Sequence, residues 1–256
     1  MRRPALLTAA AIGGLALGLT GCSAPSSPIS SPTPTGTATP PAKVSADPVP
    51  LPLGTSLPAG SRVTVVGDSI VRGLNVETEQ AWPALVGDNF GWDVTDLGCD
   101  GGGFIEPGDC GQAIGDRAEE IADTQPDAIV LIASSNDLGW APEEVDAAIV
   151  SAVDAIAAAS PSARLIAIDS VWGPDPRPTD LDQYDVSLID AVTAADGGAL
   201  EYPDPLSEDG LLGDDGVHPT VEGHRALAHA FEVAAEKSGL ARPVPTDQRA
   251  TDAPAD

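Results

Sequence analysis

AIVLIASS spans residues 128–135, a run of six apolar residues closed by two serines. Apolar residues without alternation suit a strand covered on both faces, which points to a parallel strand between two layers of helix. The sequence on either side agrees. Pro142-Glu143-Glu144 opens a helical pattern with Val145, Ile149, Val153 and Ile156 on one stripe and acids at its positive end. Further out, Arg62–Val66, Trp92–Leu97, RLIAIDSVW (164–172) and Leu200–Tyr202 read as strands, and Ala81–Phe90, Ala113–Ala122, Leu181–Ala195 and Val221–Lys237 as helices. Strand and helix alternate, so the class is α/β with a mostly parallel sheet and helices on both faces.

The rest of the 256-residue chain frames that domain. Arg2 and Arg3 precede an apolar stretch, Ala5 to Leu19, too short for a comfortable membrane span. Leu19-Thr20-Gly21-Cys22 then resembles the lipobox of bacterial lipoproteins, which implies cleavage after residue 21 and lipid on Cys22; an ordinary signal peptide with a chance cysteine is the alternative. Residues 22–58 are rich in Pro, Ser and Thr and read as a disordered tether, able to reach roughly 100 Å when extended. Residues 241–256 read as a second solvated tail, leaving 59–240 as the domain. The expected location is therefore extracytoplasmic, with the membrane met through Cys22, and the protein is expected to be a monomer. Twelve basic residues against 39 acidic ones give a formal charge of −27, which repels phosphate backbones and argues against nucleic acid as a partner. Cys99 and Cys110 remain. Export puts them where disulfides persist, so a bridge is expected, with free buried thiols as the alternative.

In open α/β sheets, ligands bind beyond the carboxyl ends of the strands. Polar signatures collect there in this sequence. Gly67-Asp68-Ser69 follows the first strand, DLGCDGGGF (96–104) ends the second, SSND (134–137) ends the third, and DDGVHPT (214–220) lies beyond the last. A serine, a glycine-rich turn, an asparagine and an Asp/His pair are the parts of a serine hydrolase. Taken singly, each stretch is ordinary turn or helix-entry chemistry. His224 and His229 stand five apart on the last helix, a poor metal spacing, and no Cys/His cluster suits zinc; no metal or cofactor is expected. Trp140 and Trp172 follow the third and fourth strands, as candidates for an acyl or sugar pocket or for packing at the core or rim.

Together the four stretches resemble blocks I, II, III and V of the SGNH (GDSL) hydrolase family, in family order, over essentially the whole of Arg62 to Leu240. The resemblance implies a three-layer α/β/α sandwich, flavodoxin-like, with a parallel five-stranded sheet in the order 2-1-3-4-5. It matches Ser69 to the nucleophile, His218 to the base and Asp215 to the acid. The backbone N–H groups of Ser69 and Gly101 and the side-chain amide of Asn136 match the oxyanion donors. Two positions depart from the family pattern. Ser134 stands where glycine is usual, and Gly101 lies in a run of three glycines. The activity implied is hydrolysis of carboxylic esters, with small acyl groups on glycans or lipids, through an acyl-enzyme. Transfer of the acyl group to a cell-surface glycan, or non-catalytic binding of an acylated glycan, are the alternatives.

Overall fold

The computed structural model describes residues 56–202 and 205–245. The expected signal peptide (1–21), Cys22, the expected tether up to residue 55, residues 203–204 and residues 246–256 lie outside the described residues.

Five strands, β1 (Arg62–Gly67), β2 (Asp93–Gly98), β3 (Ala128–Ile132), β4 (Arg164–Ile168) and β5 (Gly198–Leu200), form one sheet in the order β2-β1-β3-β4-β5. Every pairing is parallel. The sheet therefore has the class and strand order expected. β3 shows why its sequence carries no alternation. Ala128, Val130 and Ile132 point into one core and Ile129 and Leu131 into the other, all buried. Complete burial of such a side chain is worth about 1.5–3 kcal/mol.

Helices α1 (Ser69–Arg72), α2 (Trp82–Phe90) and α6 (Val221–Ser238) cover one face; α3 (Ala118–Asp123), α4 (Pro142–Ala159) and α5 (Thr179–Ala194) cover the other. The stripe foreseen on α4 is real, since Val145, Ile149, Val153 and Ile156 are all 0% exposed. On the opposite face Trp82, Phe90, Trp92, Tyr202 and Phe231 form an aromatic cluster, with the Trp82 and Phe231 rings 5.6 Å apart.

Three boundaries differ from expectation. β5 lies earlier than Leu200–Tyr202, because Tyr202 turns into the aromatic cluster and donates its hydroxyl to Leu227 O at 3.0 Å. The helix expected over Ala113–Ala122 begins as a 3-10 turn, Ile114–Arg117, and Arg117 leaves helical geometry to donate to Leu97 O at 2.9 Å. The domain also extends past 59–240. Leu57 and Ala241 are buried, Leu57 N–H donates to Leu240 O at 2.7 Å, and Val244 N–H donates to Asn89 O at 2.9 Å. Both are apolar, and they close the end of the α2–α6 layer. Among the described residues, no helix is long and apolar enough to cross a membrane.

Candidate active site

The order β2-β1-β3 puts the carboxyl ends of three strands side by side, with Gly67 of β1 in register with Gly98 of β2. The chain turns sharply after Gly67. Asp68 caps the single-turn α1 by accepting the Ile70 N–H at 2.8 Å, and this sets Ser69 as the first helical residue, 7% exposed. α1 lies so close to β2 that a Cβ on Gly98 would fall 2.2 Å from Arg72 N, so only glycine fits there.

Asp215 and His218 reach Ser69 from the loop before α6. Asp215 Oδ1 accepts the backbone N–H groups of Val217 (3.0 Å) and His218 (2.9 Å), while Oδ2 lies 2.8 Å from His218 Nδ1. Those two backbone donors, with the His218 ring, pull the Asp215 carboxyl down to about 2. Asp215 is thus ionised at neutral pH and can only accept, which places a proton on Nδ1, so in the neutral ring Nε2 carries the lone pair. Nε2 lies 2.9 Å from Ser69 Oγ, so the serine hydroxyl donates to it. A hydroxyl bonded to a neutral imidazole, itself bonded to an ionised carboxylate, is equipped to attack a carbonyl carbon while losing its proton.

Asn136 and Gly101 occupy the turns after β3 and β2. Asn136 Nδ2 donates to Gly102 O at 3.0 Å, which leaves the second amide hydrogen for a ligand. Gly101 has φ 68° in an exposed turn, bracketed by the disulfide joining Cys99 to Cys110. Arg72 of α1 forms a two-bond ion pair with Asp100, so the residue before Gly101 is tied to the helix that starts at Ser69.

Three supporting residues went unrecognised as such in the sequence. Ser134 is 1% exposed; its hydroxyl donates to Asp68 Oδ2 at 2.6 Å and accepts the Asn136 N–H at 3.1 Å. Asp137 is fully buried, and its carboxylate accepts the N–H groups of Phe104 (2.7 Å), Ile105 (3.0 Å) and Glu106 (3.0 Å). Burial pushes the Asp137 carboxyl up, against the pull of those donors. A Cβ on Gly103 would fall 2.4 Å from Asp137 Oδ1, so the glycine run also gives this acid its place. The third is Arg177, in the β4–α5 loop. Only the Ser134 departure from glycine offered a signal.

A cleft of about 60 Å³ adjoins these groups. Ile70 follows Ser69, Ser135 precedes Asn136, and Gly216 and Val217 separate Asp215 from His218; all four line it, facing Trp172 and Asp175 of the β4–α5 loop. Trp140 does not line this cleft; it is 41% exposed, its indole N–H donating to Glu106 at 2.7 Å. His224 is buried on α6 and His229 lines a separate groove there. Among the described residues no group of three His, Cys, Asp or Glu side chains is placed to hold a metal ion.

The sequence profile of the GDSL-like lipase/acylhydrolase family matches residues 65–226. The GDSL lipase Rv0518 of Mycobacterium tuberculosis (strain ATCC 25618 / H37Rv) is 28% identical over 184 residues, covering 65% of this chain and 78% of that protein. The solved structure of TesA superposes with a TM-score of 0.56 at 20% identity, covering 69% of this chain and 99% of its own. The salicylyl-acyltransferase SsfX3, from a tetracycline biosynthetic pathway, does so with a TM-score of 0.57 at 21% identity, covering 71% and 56%. At such identities the two structures attest the fold.

Proposed function

Because this chain belongs to the GDSL-like lipase/acylhydrolase family, we propose that it hydrolyses carboxylic esters through an acyl group carried on Ser69. The observation that carries the reading is the unbroken relay from Ser69 Oγ to His218 (2.9 Å) and on to Asp215 (2.8 Å) at the end of the central strand. In the first half-reaction Ser69 Oγ bonds to the acyl carbon as its proton passes to His218 Nε2, and Asp215 stabilises the resulting imidazolium. Charge then develops on the carbonyl oxygen, toward which Ser69 N–H, Gly101 N–H and the second Asn136 amide hydrogen are the candidate donors. Collapse expels the alcohol, which takes the proton from His218. Water repeats the sequence on the acyl-serine, releasing the acid and restoring the hydroxyl.

The same acyl-serine can be discharged to an alcohol in place of water, and SsfX3, similar in fold, is an acyltransferase by name. Adding glycerol or a sugar acceptor to the assay separates the two, since transfer yields a new ester at the expense of free acid. Retention of a complete relay speaks against a purely binding role.

The setting proposed is extracytoplasmic, with a monomer held at the membrane by lipid on Cys22. Arg2-Arg3, the apolar Ala5–Leu19 stretch and Leu19-Thr20-Gly21-Cys22 support it, and the Cys99–Cys110 disulfide suits an oxidising compartment. Mass spectrometry of the mature N-terminus tests the anchor; an unmodified Cys22 refutes it. For the chemistry, the purified domain should turn over p-nitrophenyl esters, and Ser69→Ala should abolish turnover while leaving the circular dichroism spectrum unchanged. Wild-type rates in Ser69→Ala would refute the assignment.

A further inference from the structure

We propose that Arg177 sets the acyl-chain length this protein accepts, by staking the β4–α5 loop as the outer wall of the cleft beside Ser69. The proposal rests on the serine-esterase reading above. Inner walls of the cleft come from Ile70, Ser135, Gly216 and Val217, chain neighbours of Ser69, Asn136, Asp215 and His218, so an acyl group on Ser69 has this void at hand. The outer wall is the loop carrying Trp172 and Asp175, which has no secondary structure of its own.

Arg177 closes that loop. Its Nη1 donates to Ser170 O at 3.0 Å and its Nη2 to Ser170 Oγ at 2.6 Å, joining the two ends of the segment that carries Trp172. Nε donates to Asp182 at 2.7 Å and Nη2 to Asp185 at 2.5 Å, both on α5, which packs on the sheet. Asp185 in turn accepts the Ser170 N–H at 2.8 Å and its hydroxyl at 2.7 Å. Ser170 and Asp185 are 3% and 6% exposed, so this fork of charge-assisted bonds is shielded from solvent. Arg177 is not itself a lining residue of the cleft and acts through the loop. It is a positioning residue.

The void measures about 60 Å³. A methylene is similar in size to a water molecule, which needs about 10–15 Å³ of such space, so the cleft seats a tail of about four carbons. Within it, each buried methylene should raise kcat/KM about fourfold. Beyond it, a longer tail meets solvent and the Asp175 rim, and gains nothing.

The test is kcat/KM for p-nitrophenyl acetate, butyrate, hexanoate and octanoate. Wild type should improve from acetate to butyrate and then stop. Arg177→Lys keeps a charge beside Asp185 but loses the planar fork. It should stay folded by near-UV circular dichroism and raise the octanoate-to-acetate ratio about tenfold, chiefly through KM. Trp172→Ala should move the ratio the same way with the fork intact. Should Arg177→Lys fail to fold, Arg177→Gln with Asp185→Asn strands no buried charge, since Asp182 is open to solvent, and carries the same expectation. A wild type that prefers octanoate to butyrate overturns the proposal. So does a folded Arg177 variant with an unchanged ratio, whatever Trp172→Ala does. Failure of the esterase reading looks different: the wild type would turn over none of the four esters and resist labelling at Ser69 by a fluorophosphonate, and this inference would fall with it.

Discussion

Ser134 uses its hydroxyl twice, donating to Asp68 and accepting from Asn136, and so links the turn before Ser69 to the turn that carries the asparagine. Replacing it with alanine leaves the Asn136 N–H without that acceptor and removes a donor from the half-buried Asp68 carboxyl. An unpaired buried polar group costs about 1–3 kcal/mol. Complete loss of an oxyanion donor costs about 10²–10³ in turnover. Ser134→Ala shifts a donor without deleting it, so kcat should fall about tenfold with KM nearly unchanged, as steady-state kinetics on a p-nitrophenyl ester would show. Equal kcat would mean that packing alone orients Asn136. At this scale the candidate site was readable where its residues lie in short contiguous stretches, Ser69 after Gly67-Asp68 and Asp215 three residues before His218, which the fold brings together. The supporting bonds were hidden because they join distant segments, 66 residues apart for Ser134 and Asp68 and 33 for Asp137 and Phe104. Nothing local to Asp137 signals that three N–H groups will surround it.

Helix α2 begins at Trp82 without a side-chain cap from its own segment. His224 of α6 supplies one, its Nδ1 accepting the Trp82 N–H at 3.3 Å. Burial pushes this imidazole down to about 4. A histidine with a lowered folded-state pKa binds fewer protons folded than unfolded, so its contribution is complete above about 6.5 and is lost as pH falls toward 4. The loss should reach about 3 kcal/mol. Asp96, raised to about 6, and Asp185, raised to about 7, act in the opposite sense over the same window, because each favours the protonated folded state. The measurement is therefore the difference in urea-unfolding free energy between wild type and His224→Gln, at pH 7.5 and pH 4.5. Wild type should lose the larger amount. The disulfided turn yields a second expectation. Its Cα atoms stand 6.0 Å apart and enclose Gly101, and loop closure of this length is worth about 3 kcal/mol. A donor displaced by about 1 Å can cost on the order of 10²-fold in rate. Reductant should thus lower turnover before near-UV signal is lost; coincident midpoints would leave the bridge a stability role only. Elements buried on two faces, β3 and α4, were legible in the sequence. β2 is an edge strand, exposed or half-buried along its length, and its boundaries were correspondingly harder to place.

For the molecule as a whole, alternation of apolar runs and helical stripes was enough to give the class, because a parallel sheet needs a crossover between neighbouring strands. Strand order came from the family resemblance, since no pattern within a strand names its neighbours. The margins were placed inside Leu57, Ala241 and Val244 because these residues lie in proline-containing stretches with no helical or strand periodicity to mark them. Those margins have a practical consequence. Leu57 pairs with Leu240, and a Cβ on Gly91 would meet both Val244 (2.8 Å) and Ala59 (3.2 Å), so the two ends of the folded domain are neighbours. They meet at the amino edge of the sheet, beside Ser61 and Asp93, and the six residues of β1 put about 20 Å between that edge and Ser69. Adjacent ends far from the chemistry are what circular permutation needs. A chain rewired to start at Ser162, in the exposed α4–β4 turn, with residues 245 and 56 joined by a short glycine-serine linker, should fold and hydrolyse ester at close to the parent rate. For the same reason, coupling the domain to a bead or a carrier protein through either end should leave the mouth of the cleft open.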